Sequence, residues 1–179
     1  MLILVGPSAS GKSAIVKDLV SKYNMQKFIT CTTRKPRLGE VDKVDYYFFT
    51  EVEFEKLYSE SKFIETVFYN GNYYGTLKSE AGINKVVILE PQGLNSFLEV
   101  VPNVFSVFLQ TDEEKLKQRM LSRGDSELEM MKRIENDRIL FSPSQLAKIN
   151  LIIDTSTHSV EEISKNIFES YVKYLNEIK

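Results

Sequence analysis

Eight consecutive residues near the start of the chain, Gly6-Pro7-Ser8-Ala9-Ser10-Gly11-Lys12-Ser13, constrain the fold more than any other feature. They match G-x-x-x-x-G-K-[ST] and follow the apolar run Leu2-Ile3-Leu4-Val5, which reads as a buried parallel strand. Beyond them the spacing predicts a helix from Lys12 to about Lys22, with Ile15, Val16, Leu19 and Val20 on one face. Strand, glycine-bearing loop and helix in this order form an anion cradle. The glycines let backbone N–H groups turn inward, and the helix N-terminus adds partial positive charge. In such a cradle Lys12 reaches the β and γ phosphates, and the Ser13 hydroxyl can ligate Mg²⁺. The chain is therefore expected to bind a nucleoside triphosphate through residues 6–13.

The remaining apolar runs extend the same architecture. Lys85–Leu89, Val104–Leu109 and Asn150–Ile153 read as further buried strands, with Phe28–Thr32 a weaker member of the set. Helices are expected to open at Thr111-Asp-Glu-Glu114, at Ser126-Glu-Leu-Glu129 and at Ser159-Val-Glu-Glu162, each a capping-box pattern. The first runs to Ser122 before Gly124 and the second ends near Ser142-Pro143. The last carries a stripe of Ile163, Ile167, Tyr171, Tyr174 and Ile178. Alternating strands and helices imply an α/β fold, a parallel sheet core flanked by helices. Arg34–Thr76 breaks the rhythm: Asp45–Phe49 and Phe63–Tyr69 read as strands, a short helix starts at the Thr50–Glu53 capping box, and Asn70-Gly71 reads as a hairpin turn. This segment is expected to be a small mixed α/β lobe inserted into the core.

Charge and composition narrow the function. With 23 Lys+Arg against 25 Asp+Glu the net charge is −2, unlike the basic footprint of a general nucleic-acid binder. One cysteine, Cys31, and one histidine, His158, exclude an intrachain disulfide and a cysteine zinc cage and disfavour a Ser-His-Asp hydrolase. The apolar start Met1–Val5 is too short for a signal peptide or membrane span, so no membrane partner and a reducing, cytoplasmic setting are expected. A phosphate loop alone does not name the phosphoryl acceptor. A small kinase needs a second pocket, and arginines to neutralise charge as the phosphoryl group moves.

Thr30-Cys31-Thr32-Thr33-Arg34-Lys35-Pro36-Arg37, Gly39-Glu40-Val41-Asp42, Phe63-Ile64-Glu65 and Gly71-Asn72-Tyr73-Tyr74-Gly75-Thr76 supply candidates for that pocket. Together with the phosphate loop these strings resemble guanylate kinase over nearly the whole chain, and the resemblance implies transfer of the γ-phosphoryl of ATP to GMP or dGMP. It implies that Arg34, Arg37, Tyr46 and Tyr74 hold the acceptor phosphate, which suits the bidentate fork of arginine. It also places Thr30, Glu65 and Thr76 around the guanine. A carboxylate can accept from N1–H and N2–H₂ while a threonine hydroxyl donates to O6; adenine would leave that site unpaired.

The resemblance further implies a lid in which Arg123 and Arg133 close over the phosphates as catalytic residues with Lys12. Arg119 joins the ATP side, and the role of Arg138 is left open. It divides the chain into a core of about 1–33, 77–118 and 143–179, an acceptor-binding lobe of about 34–76 and a lid of about 119–142. Ser13 is the implied protein ligand of Mg²⁺. ATP and GMP are the implied partners, with a monomer or homodimer expected. Two departures stand out. In Ile88-Leu89-Glu90-Pro91-Gln92-Gly93, Ile88 and Glu90 occupy positions where the family usually has aspartates. Glu90 keeps a carboxylate near the guanine amino group, whereas Ile88 removes the one that supports Mg²⁺. Asp154-Thr155 stands where the family often has an asparagine touching adenine. The rival readings are a non-catalytic interaction module of guanylate-kinase type and a small kinase for another phosphorylated acceptor. The intact Gly11-Lys12-Ser13 disfavours the first; Thr30, Glu65 and Thr76 disfavour the second.

Overall fold

The computed structural model describes residues 1–69, 71–142, 144–146 and 148–178. Alternate side chains of the first strand, β1 (Leu2–Val5), enter opposite faces of the sheet, and this divides the core into two layers. On one side Leu2 and Leu4 pack against Ile15, Val16 and Leu19 of α1 (Lys12–Lys22) and against Ile163, Ile167 and Tyr171 of α6 (Val160–Glu177). On the other, Met1, Ile3 and Val5 meet Leu94 and Phe97 of α3 (Pro91–Val100). Beside β1 lie β2 (Gln26–Lys27), β7 (Lys85–Ile88), β8 (Phe105–Gln110) and β9 (Leu151–Asp154), in the order β2-β7-β1-β8-β9, all parallel. The expected α/β core is present. Val20 and Ile178, read as buried stripe residues, are exposed; Ile178 stands just past the last helix.

Phe28–Thr32 does not form one core strand. Phe28 N–H still bonds to Val86 O and its ring enters the core, but the chain then leaves the sheet edge. Cys31–Thr32 (β3) pairs instead with β4 (Tyr47–Phe48) and β6 (Asn72–Leu77). With β5 (Phe63–Tyr69) these make a second, mixed sheet in the order β4-β3-β6-β5, covered by α2 (Glu51–Ser59). The sheet thus takes in Cys31–Thr32 and Leu77, just outside the segment 34–76. Asp45–Phe49 shortens to Tyr47–Phe48, because Asp45 and Asp42 spend their carboxylates on the Val41 and Phe48 N–H groups, turn-type bonds that curl the chain before the strand. Of the Asn70-Gly71 turn, Asn70 lies outside the described residues.

The lobe has its own small core of Cys31, Phe54 and Phe63. Phe54 and Phe63 stack with ring centres 4.4 Å apart. A Cβ on Gly75 would lie 2.8 Å from the Phe63 ring, so only glycine admits this pair beneath β6.

Helices α4 (Glu113–Ser122) and α5 (Glu127–Leu140) form an arm whose Leu116, Met120, Met130 and Ile134 cluster, with Ala9 of the phosphate loop packed against them. The capping boxes at Thr50, Ser126 and Ser159 are formed as expected. The one at Thr111 is not. Its hydroxyl is engaged by Thr155 Oγ1 at 2.7 Å, so Asp112 becomes the cap, accepting from Glu114 N–H, and the helix starts one residue later. No helix among the described residues is long and apolar enough to cross a membrane.

Candidate active site

The phosphate loop joins β1 to α1 at the carboxyl end of the parallel sheet, where it curls over the first turn of the helix. Its start is set by a close approach. A Cβ on Gly6 would stand 2.8 Å from the Leu109 carbonyl oxygen of β8, so the loop leaves the sheet flush against the neighbouring strand. Lys12 Nζ folds back over the loop, donating to Gly6 O at 2.5 Å and Pro7 O at 2.6 Å, with Ser10 Oγ at 3.4 Å. Burial pushes the Lys12 ammonium down to about 8. Asp137 and Glu90 partly offset this and Arg123 adds to it, and the group stays charged at neutral pH. Ser13 stands exposed in the first turn of α1.

Arg119 on α4 braces this loop from the far side, donating to Ala9 O at 3.3 Å and to Thr155 O at 2.7 Å. Thr155 in turn donates to Ser10 O, so the end of β9, Arg119 and the loop form one hydrogen-bonded unit. Asp154 does not enter it: its carboxylate accepts from Ser156 N–H. Arg123 caps the C-terminus of α4 and grips Asp125 at 2.7–2.8 Å. Although four residues apart, Arg119 and Arg123 therefore bond to different parts of the molecule. Arg133 is exposed on α5 and lines a cleft of about 580 Å³ with Lys12, Ser8, Glu90 and Asp137. Arg138 is accounted for structurally: its guanidinium clamps both oxygens of Glu113 at 2.8–2.9 Å and ties α5 to α4.

A second cleft of about 570 Å³ opens between the core and the lobe, lined by Thr30, Tyr46, Glu65, Tyr74, Thr76, Ile88 and Glu90 among others. A β-bulge builds its recognition face. Phe63 pairs with Leu77, but the next register places Glu65, not Ile64, opposite Thr76. Without the extra residue Glu65 would oppose Gly75, on the other face of the sheet. The bulge turns Ile64 toward the core layer of α3 and sets the carboxylate and the threonine hydroxyl side by side. Nothing in the sequence pattern marks a bulge there.

Thr76 is only 4% exposed, and its hydroxyl has no hydrogen-bond partner among the described residues. A buried unpaired hydroxyl costs about 1–3 kcal/mol, and Thr76 lines the cleft, where a ligand can reach it. Burial, and then the charge of Glu90, raise the Glu65 carboxyl above the usual carboxylate range. The α3 N-terminus offers room: a Cβ on Gly93 would come within 3.4 Å of Glu65 Oε2.

At the mouth of this cleft Arg34 lies over the Tyr46 ring at 5.5 Å and forks onto Glu40 at 2.8–2.9 Å. The Tyr46 and Tyr74 rings meet edge to face, 6.4 Å apart, and Tyr74 also interacts with Arg34. Arg37 is exposed beside them, its backbone N–H held by the same Glu40. Ile88 does not disappear into the strand as an ordinary core residue: it is 36% exposed and lines both clefts, as does Glu90.

Residues 1–173 match the family model described as guanylate kinase. Over 178 residues the chain is 30% identical to a guanylate kinase of Prochlorococcus marinus, covering 94% of this chain and 95% of that protein. It is 38% identical over 152 residues to one of Mycoplasma genitalium, covering 79% of this chain but 63% of that protein. The crystal structure of guanylate kinase from Anaplasma phagocytophilum superposes with a TM-score of 0.61 at 25% identity, over 97% of this chain and 84% of that one. The chain belongs to the guanylate kinase family.

Proposed function

We propose that this protein transfers the γ-phosphoryl group of ATP to GMP, and to dGMP, giving ADP and the nucleoside diphosphate. The observation that carries the reading is the pairing of Glu65 with the buried hydroxyl of Thr76, unpartnered among the described residues, in a cleft that shares Ile88 and Glu90 with the cleft of Lys12. Two acceptors beside a donor complement the N1–H, N2–H₂ and O6 edge of guanine. Thr30 and Glu90 border the same base site. A base with an unprotonated N1 leaves Glu65 facing a lone pair, a mismatch worth roughly 10⁴–10⁵ in specificity.

The residues then divide the work. Arg34, Arg37, Tyr46 and Tyr74 hold the acceptor phosphate, which takes the place of Glu40 on the Arg34 fork. Residues 6–13 and Arg119 hold the ATP phosphates, with Lys12 turning from its own loop carbonyls to the β and γ oxygens. Arg123 and Arg133, on the arm of α4 and α5, close over both substrates. This partition into core, acceptor-binding lobe and lid assigns one substrate contact to each part. In-line transfer needs no covalent intermediate. It needs positioning and positive charge where charge develops.

The donor set suits Mg²⁺. Ser13 and Glu90 offer hard oxygen ligands, and the described residues form no cluster of three or more His, Cys, Asp or Glu that could cage a metal. Ser13 would be the protein ligand of such an ion, the rest of its shell coming from substrate phosphates and water. When bound, it screens the β and γ oxygens. A coupled assay across GMP, dGMP, AMP, CMP and UMP tests the reading. Turnover confined to the guanine nucleotides is expected, and equal rates with AMP would refute the base site.

A further inference from the structure

The backbone N–H of Ser8, inside the phosphate loop, does not point into empty space. It donates to Asp137 Oδ2 at 2.7 Å. Asp137 sits on α5, the lid helix, is 8% exposed, and lines the same cleft as Lys12 and Arg133. A buried carboxylate is costly unless bonded, and here its bond is to the kind of loop donor that receives phosphate oxygens. The family resemblance assigned no role to this residue.

We infer that Asp137 is a self-supplied anion that latches the lid helix to the phosphate loop and must be displaced when the triphosphate arrives. The inference rests on the proposed ATP site and adds a cost built into it. A carboxylate and a phosphate oxygen cannot share one N–H at hydrogen-bond distance, and at this range the like charges of a buried carboxylate and a phosphate repel. Arg133 lies four residues before Asp137, on the same helix face. Displacing the Asp137 carboxylate thus frees α5 to shift, so that Arg133, one turn earlier on that face, can meet the phosphates in its place. ATP affinity is set lower than the loop alone would give, and breaking the Ser8–Asp137 bond is coupled to nucleotide entry, before the lid arginines close.

The test is equilibrium binding of ATP and of inorganic tripolyphosphate, which lacks the base, to wild type, Asp137→Ala and Asp137→Asn. GMP serves as the control and melting of the free proteins as a second measurement. The expected result is opposite signs. The alanine variant melts lower without ligand because it has lost the latch, yet binds both polyphosphates about tenfold more tightly, the worth of one hydrogen bond to a charged group. The asparagine variant, which keeps an acceptor but no charge, falls between wild type and alanine, and GMP affinity is unchanged in all three. Equal or weaker polyphosphate binding by either folded variant would overturn the latch and leave Asp137 a structural prop. Failure of all three proteins to bind ATP or tripolyphosphate would instead overturn the nucleotide site beneath it.

Discussion

Replacing Glu65 by glutamine keeps the side chain's shape and should move activity and stability in opposite directions. The wild-type carboxylate offers two acceptors to the two donors of guanine. Glutamine turns one acceptor into an NH₂ group aimed at a donor. The loss is one hydrogen bond to a charged group, about 1.5–3 kcal/mol, which lowers kcat/KM for GMP by about ten- to hundredfold. IMP lacks the 2-amino group and so loses less, and the preference for GMP over IMP narrows. Stability runs the other way. Burial and Glu90 raise the Glu65 carboxyl in the folded chain above its unfolded value. A group of this kind contributes stability at low pH, where it is protonated, and that contribution is lost as pH rises through the raised folded value. At neutral pH, above its unfolded value, the raised Glu65 carboxyl is therefore a burden that glutamine removes. The free variant should melt higher than wild type at pH 7, and the gap should close in acid. A coupled assay with GMP and IMP, beside melting curves across pH, reads both effects. A folded variant with unchanged GMP kinetics, or one that melts lower at neutral pH, would refute the reasoning.

Lys12→Ala should abolish transfer while circular dichroism stays native, because the hydrogen bonds of the ammonium among the described residues go to oxygens of its own loop; near-normal turnover would sink the phosphate-loop assignment. Arg138→Ala should leave kcat and KM unchanged and cost less than about 1 kcal/mol of stability, since the Glu113 clamp is exposed; a large loss of turnover would give Arg138 a substrate contact. Ile88→Asp should lower the free Mg²⁺ needed for half-maximal rate, because position 88 lines the cleft that holds Lys12; superimposable Mg²⁺ titrations from two folded proteins would show that it takes no part in metal support.

The central strand, the phosphate loop and three of the four expected capping boxes are local patterns, and the sequence reveals them directly. What it hides is settled at a distance. Thr111-Asp-Glu-Glu114 has the spacing of a capping box, but Thr155, 44 residues away, takes the threonine hydroxyl. Phe28–Thr32 is apolar enough for one strand, yet its two ends join different sheets, a choice made by Val86 on one side and by Tyr47 and Gly75 on the other. Glu65 and Thr76 were recognisable from their motifs. The bulge that aligns them was not, because one extra residue in a strand leaves the alternation Phe63-Ile64-Glu65 looking ordinary. Asp137 reads as one more charge on a polar helix, and only the position of α5 over the loop shows it to be buried.

Chain topology explains why donor and acceptor sites meet where they do. The helix after β1 packs on one face of the parallel sheet, and the helix after β7 packs on the other. Adjacent strands whose connections part in this way leave a crevice outside their carboxyl ends, the place where open α/β sheets bind ligands. β1 ends there in the phosphate loop, and β7 ends there in Ile88 and Glu90. The second sheet is inserted between β2 and β7, so its Glu65–Thr76 face is held at the same crevice. Glu90 lines the cleft of the lobe and the cleft of Lys12 alike. The cleft of the lobe and the cleft of the phosphate loop are therefore contiguous, and Arg133 of α5 lines the second of them. No single element carries the reaction, which is why a chain with no paired acid and base at its centre can still position two nucleotides for transfer.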